Sequence, residues 1–364
     1  MDIPEFIPGL KLSELFYTEQ VAPIMRDRFA VVQHSAALIG PGSEVLGFDD
    51  ETSTDHHWGP RLQLFLSVEN LANYGQQIDV TLRQELPDRC LGYPTSFTSP
   101  DPDDNGTQLL DWDHQGEINH MVEITTIERF FTRHLGVEVG KELSVSDWLS
   151  FPQQILLSLT AGAVFHDEVG LQDARAKLAY YPHDVWLYLM ASVWHRIGNE
   201  EHLAGRTGQS DQTLGNSLLL HRLVRDAMYL AFMLEKKYAP YPKWFERAFR
   251  DLQCSSKLTP HLLTVIGDGS WSDRQISLCK AFEILARMHN DLGLSEPIPA
   301  ETSDFHGRSI PVIQGETAAK RIVTAITDPE VREVADCTLA GGIDQISDST
   351  EVLEDPRLRR RFLS

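Results

Sequence analysis

The chain has 364 residues, 42% apolar and 23% charged, with 53 acidic against 32 basic side chains and a formal charge of -21. Such an excess of carboxylates repels a phosphate backbone, so long nucleic acid is excluded as the expected partner. No run approaches the ~20 apolar residues of a membrane helix, and residues 1–10 hold no basic cluster and no apolar leader, so the expectation is a cytoplasmic protein without membrane contact.

A chain of this length accommodates two domains and a small third piece. Between residues 11 and 29, Leu12, Leu15, Phe16, Val21, Ile24, Met25 and Phe29 recur at helical spacing, and Pro23 bends or splits the helix they predict. Residues 35–39 form a short apolar run closed by Gly40, Pro41 and Gly42, the punctuation of a buried strand ending in a tight turn, with a short helix expected from Ser43. Residues 61–68 and 77–82 read as strands, residues 93–106 as a surface loop rich in Pro, Ser, Thr and Asp, and residues 118–125 as a further strand.

From Ser144 the pattern becomes helical, over residues 147–163, 172–179, 183–197, 217–237 and 273–292. The expected fold class is therefore α+β: a mixed sheet with flanking helices over residues 1–140, a helical bundle over 141–300, and a segment over 301–364 that packs back on the body. Asp184 reads as an N-terminal helix residue, Asp344, Asp348, Ser349 and Thr350 as a capping loop before a last short helix, and the four arginines of residues 357–361 as a solvated tail. Cys90, Cys254, Cys279 and Cys337 lie far apart without a C-x-x-C pair and are expected to be reduced and structural.

The chemistry is concentrated in residues 36–66, AALIGPGSEVLGFDDETSTDHHWGPRLQLFL. Gly42 lets backbone approach a phosphate, and Ser43 offers a hydroxyl and an amide where negative charge is favoured. Asp55, separated from Ser43 by eleven intervening residues, is placed to return to the same pocket, where a carboxylate holds a divalent ion on the phosphates of a triphosphate. In YAPYPKWF, Lys243 stands at a helix start from which it can face a triphosphate, whereas Trp244 reads as core.

A Gly-Ser pair followed at this distance by an acid before a strand resembles the signature of the DNA polymerase β-like nucleotidyltransferase superfamily. Over nearly the whole chain the sequence resembles more closely the family called domain of unknown function 4037, through FIPGLKLSELFY, GSEVLGFDDETSTDHHWGPRLQLFL, VEITTIERFF, LTAGAVFHDEVG, LAYYPHDVWLYLMASVWHRIG, YAPYPKWFERAF and GGIDQISDSTEVL. The resemblance implies a metal-dependent transfer of a nucleoside monophosphate from an NTP to a hydroxyl or amine on a small molecule or protein, with Mg²⁺ or Mn²⁺ as cofactor. It implies Asp55 and Glu123 as catalytic residues, Gly42, Ser43 and Lys243 at the nucleotide, and Asp55, His57 and Glu123 at the metal, with Asp113 and Glu117 as alternatives to Glu123.

The sequence departs from the superfamily at one position. Two acids one residue apart are expected there, and His57 stands at the second. Imidazole is a poor ligand for hard Mg²⁺, so the alternative expectation is a catalytically impaired protein that binds or senses nucleotides.

Overall fold

The computed structural model describes residues 4–54, 56–210 and 212–363, with the side chains of residues 362 and 363 excepted. The opening apolar stripe folds as α1 (Gly9–Phe16), a π-helical turn (Tyr17–Val21) and α2 (Ala22–Arg28). Pro23 falls in the first turn of α2, where its missing N–H is tolerated, so the helix changes register instead of breaking. Leu12, Phe16, Val21 and Met25 are buried against the sheet core.

β1 (His34–Leu38) is buried along its length, and β2 (Arg61–Leu66) nearly so. α3 (Val68–Glu85) follows, started by Ser67, whose hydroxyl accepts the Asn70 N–H at 3.0 Å. This corrects the strand expected over residues 77–82: Gly75, Ile78 and Leu82 are the buried positions, and their three- and four-residue spacing fits one helix face. The helix expected at Ser43 is also absent, because residues 43–47 form only turns, closed by the Leu46 and Phe48 N–H groups donating to the Ser43 carbonyl.

Two short strands, β3 (Arg89–Cys90) and β4 (Tyr93–Pro94), precede β5 (Met121–Thr125) and α4 (Ile127–Leu135). The predicted loop over residues 93–106 begins with five buried residues, Tyr93 to Phe97, so only its later part is a surface loop. Thr126 caps α4 at its start, and Gly136, left-handed at φ 78°, ends it.

The single helix expected over residues 147–163 is instead α5 (Val145–Ser150), α6 (Gln153–Thr160) and the beginning of β6 (Ala163–Asp167), which α7 (Leu171–Ala176) follows. Strand order in the four-stranded sheet is β5-β2-β1-β6, with β1 antiparallel to both neighbours and β2 parallel to β5. Because β6 pairs with β1, the first compact unit comprises Met1–Glu142 and Ile155–Ala179, and the second Leu143–Gln154 and Tyr180–Ser364. Helical periodicity alone, which starts the second domain at residue 141, does not reveal this return to the sheet.

The second unit is built on α8 (His183–Gln209) and α9 (Thr213–Leu234), with a 3-10 turn (Pro242–Trp244), α10 (Phe245–Arg250), α11 (Ser255–Ile266) and α12 (Trp271–Leu292). A hairpin of β7 (Ser303–Phe305) and β8 (Arg308–Val312) leads to α13 (Gly315–Ala325), α14 (Pro329–Cys337), α15 (Ile343–Ile346), α16 (Thr350–Glu354) and α17 (Pro356–Leu363). The C-terminal segment packs within this unit, where α13 crosses α8.

Three polar residues in this unit do more than their sequence context suggests. Asp184 accepts from the Thr327 and Asp328 N–H groups ahead of α14, tying the two segments together. Asp344 does not cap the last short helix but lies in α15, and its carboxylate accepts the N–H of Gln153, the first residue of α6, at 3.0 Å; burial pushes its pKa up to about 7. Arg359, expected in solvent, is fully buried and donates to the Leu353 carbonyl at 2.6 Å.

All four cysteines are free thiols, Cys90 and Cys254 buried. No helix among the described residues is long and apolar enough to cross a membrane.

Candidate functional site

The end of β1 sets the site. Gly40 and Gly42 take φ values of 92° and 146°, conformations that cost side-chain-bearing residues strain, and they turn the chain away from the sheet. Gln63 of β2 accepts from the Ile39 N–H and donates to the Ile39 carbonyl, both at 3.1 Å, which extends the β1–β2 ladder to the turn.

Arg61, at the start of β2, lies across that turn. Its guanidinium donates to the Pro41 carbonyl at 2.7 Å and, through Nε, to the buried Glu44 carboxylate at 2.8 Å. A methyl group on Gly42 would stand 2.5 Å from Arg61 Nη2 and 2.6 Å from Glu44 Oε2. Gly42→Ala is therefore expected to lower stability by about 2 kcal/mol, from backbone strain and displacement of this pair, read as a fall in the urea midpoint. An unchanged midpoint would show that the turn yields freely.

Ser43 is half-buried in the turn. Asp55 lies outside the described residues. His57 is left-handed at φ 51°, its N–H donates to the Gln108 carbonyl at 3.0 Å, and its buried Nδ1 has no hydrogen-bond partner. Burial, then the Arg61 charge, holds the imidazole below its ordinary pKa, so it is neutral at pH 7.

Of the preceding acids, Asp49 Oδ2 accepts the Gly9 N–H at 2.7 Å and the Trp58 indole N–H at 3.0 Å, which fixes the start of α1. Asp50 closes a turn on Thr52.

Parallel pairing places Glu123 of β5 opposite Gln63 of β2. Its carboxylate is held by both Arg133 guanidinium nitrogens, at 2.7 and 3.0 Å. The alternatives diverge from it: Glu117 is exposed and accepts from Gln84 at 3.5 Å, and Asp113 lines a separate cleft. Lys243 belongs to the second unit, exposed, with Nζ 4.8 Å from the ring centroid of buried Trp244.

That cleft has a volume of about 1030 Å³ and is lined by Phe6, Trp58, Tyr93 and Trp112, with Glu5, Glu51 and Asp113 among its acids. Phe6 stacks on Trp58 at 5.9 Å, and Trp58 meets Tyr93 edge-on at 5.2 Å. Thr54 and Trp58, on either side of residues 55–57, both reach it. Neither the cleft nor the Glu44–Arg61 pair is legible in the sequence, because each joins residues separated by long loops.

No curated protein and no solved structure matches the chain. Residues 148–245 match the family model described as Domain of unknown function (DUF4037).

Proposed function

We propose that the first unit moves a nucleoside monophosphate from an NTP to a hydroxyl or amine acceptor on a small molecule or protein. The observation that carries this reading is the sheet register. β1 ends where β2 and β5 begin, so the Gly42–Ser43 turn and the loop leading into β2 share one end of the sheet, with Glu123 two residues into β5 from that end.

In this reading the turn at Gly42 receives phosphate, and Arg61, exchanging Glu44 for phosphate oxygens, supplies positive charge. The aromatic cleft takes a flat base or an acceptor, and its acidic lining favours an acceptor bearing an amine.

A bound divalent ion supplies charge neutralisation of the triphosphate. Asp55, His57 and Glu123 are the residues proposed to hold it. The unpartnered Nδ1 of neutral His57 suits Mn²⁺ better than Mg²⁺, and Glu123 joins only by exchanging Arg133.

The grip of Arg133 on Glu123, with His57 in place of an acid, favours a second reading, nucleotide binding or sensing without transfer. Labelled NTPs with Mn²⁺ or Mg²⁺ and a panel of hydroxyl and amine acceptors separate the two. Transfer predicts pyrophosphate release that is faster with Mn²⁺ and falls about 100-fold or more in Asp55→Ala. Calorimetric NTP binding with no release supports the sensor, and neither binding nor release refutes both.

A further inference from the structure

At the opposite end of β1 from Gly42 lies a second cluster that the nucleotide reading does not use. His34 begins β1, His166 lies in β6, and Glu168 follows that strand. The antiparallel register sets His166 opposite Ala36, two residues from His34, while the Glu168 N–H donates to the His34 carbonyl at 3.2 Å. Strand alternation therefore puts all three side chains on one face.

One ligand atom from each residue lies within 4.8 Å of the others. His166 Nε2 is already 3.3 Å from Glu168 Oε2, and the two imidazole centroids are 4.7 Å apart. Two ligands at ~2.0–2.1 Å from one tetrahedral ion are about 3.3–3.4 Å apart, so small side-chain rotations complete the set.

We propose that His34, His166 and Glu168 form a binding site for a divalent transition-metal ion of the Zn²⁺ class. Two imidazoles and one carboxylate suit a borderline-soft ion and disfavour Mg²⁺.

The surroundings fit the task. His34 Nδ1 faces the Val32 carbonyl at 3.4 Å, the outer contact that fixes a ligating histidine's tautomer and leaves Nε2 for the metal. Nε2 now meets the Tyr17 hydroxyl at 3.0 Å, the contact that the ion replaces. Burial, then the neighbouring His166, lowers the His34 pKa from its ordinary value. His34 is buried, whereas His166 is half-buried and Glu168 exposed, so the ion is anchored from the core and its fourth position opens to water. An ion here clips the edge strand β6 to β1. The site is independent of any nucleotide chemistry.

The test begins with full-length protein stripped by chelator, titrated with Zn²⁺ and with Co²⁺ as a coloured probe. The wild type should bind one more equivalent of Zn²⁺ than His166→Ala, show tetrahedral Co²⁺ absorption bands that Zn²⁺ displaces, and melt at a higher temperature with Zn²⁺. Glu168→Gln should bind at least about tenfold more weakly. Both altered side chains are solvent-accessible, and circular dichroism confirms that the variants fold. Equal Zn²⁺ stoichiometry and affinity in wild type and His166→Ala, or a Zn²⁺-induced rise in melting temperature that is the same in both, would overturn the site.

Discussion

Between pH about 4.5 and about 7.5, the stability advantage of the wild type over Glu201→Gln should shrink by about 3 kcal/mol. Glu201 lies on α8, and its two carboxylate oxygens accept the Ile313 and Gly315 N–H groups at 2.6 and 3.0 Å, across the start of α13. Burial pushes its pKa from 4.5 up to about 7, because desolvation outweighs those two hydrogen bonds.

The folded pKa is raised, so the contribution is complete below the unfolded value of 4.5 and is lost as pH rises through about 7. A tenfold difference in proton affinity between the folded and unfolded chain corresponds to about 1.4 kcal/mol. The wild-type profile alone would mislead. Burial lowers His289 from 6.5 to about 4, and that group works in the opposite sense, adding stability as pH rises from about 4 to 6.5. Subtracting the Glu201→Gln curve, measured by urea denaturation across the pH range, isolates the carboxylate. A difference that stays flat with pH would show that Glu201 titrates as an ordinary surface group.

Gly198→Ala should cost about 3 kcal/mol or more at the same joint. A methyl group on Gly198 would stand 2.3 Å from the Glu316 nitrogen and 3.0 Å from the Gly315 carbonyl carbon. Reciprocally, one on Gly315 would stand 2.4 Å from the Trp194 carbonyl oxygen. These obstacles are backbone atoms, which cannot rotate away, so α8 and α13 must separate and lose buried contacts along both helices. Gly215→Ala in α9 is the control. Its added methyl meets only the Gln212 side chain at 3.9 Å, so the variant should match or slightly exceed the wild type. Equal urea midpoints for Gly198→Ala and Gly215→Ala would refute the close crossing.

Much of the local structure is legible in the residue order. Helical spacing locates α1, α2, α8, α9 and α12, and the glycines after residue 39 mark the turn that ends β1. Sequence spacing fails where an apolar run is too short to declare its period. Residues 77–82 belong to α3 because Ser67 starts a helix well upstream, and β6 exists because β1 offers it an unpaired edge. The extension of α8 to residue 209 escapes the sequence for a related reason: buried contacts with α13 sustain polar stretches that carry no strong stripe of their own.

Local chemistry, by itself, determined the α+β class, the placement of Gly42 and Ser43 at a strand end and the burial of Trp244, because each follows from residue patterns within short stretches of chain. Tertiary structure alone decided that Glu44 is taken by Arg61, that Glu123 is held by Arg133, that Phe6 and Trp112 share a cleft, and that His34, His166 and Glu168 meet on one face. The physical reason is strand pairing. A ladder brings together side chains from distant parts of the chain, and its register, which no single strand specifies, selects which of them face one another.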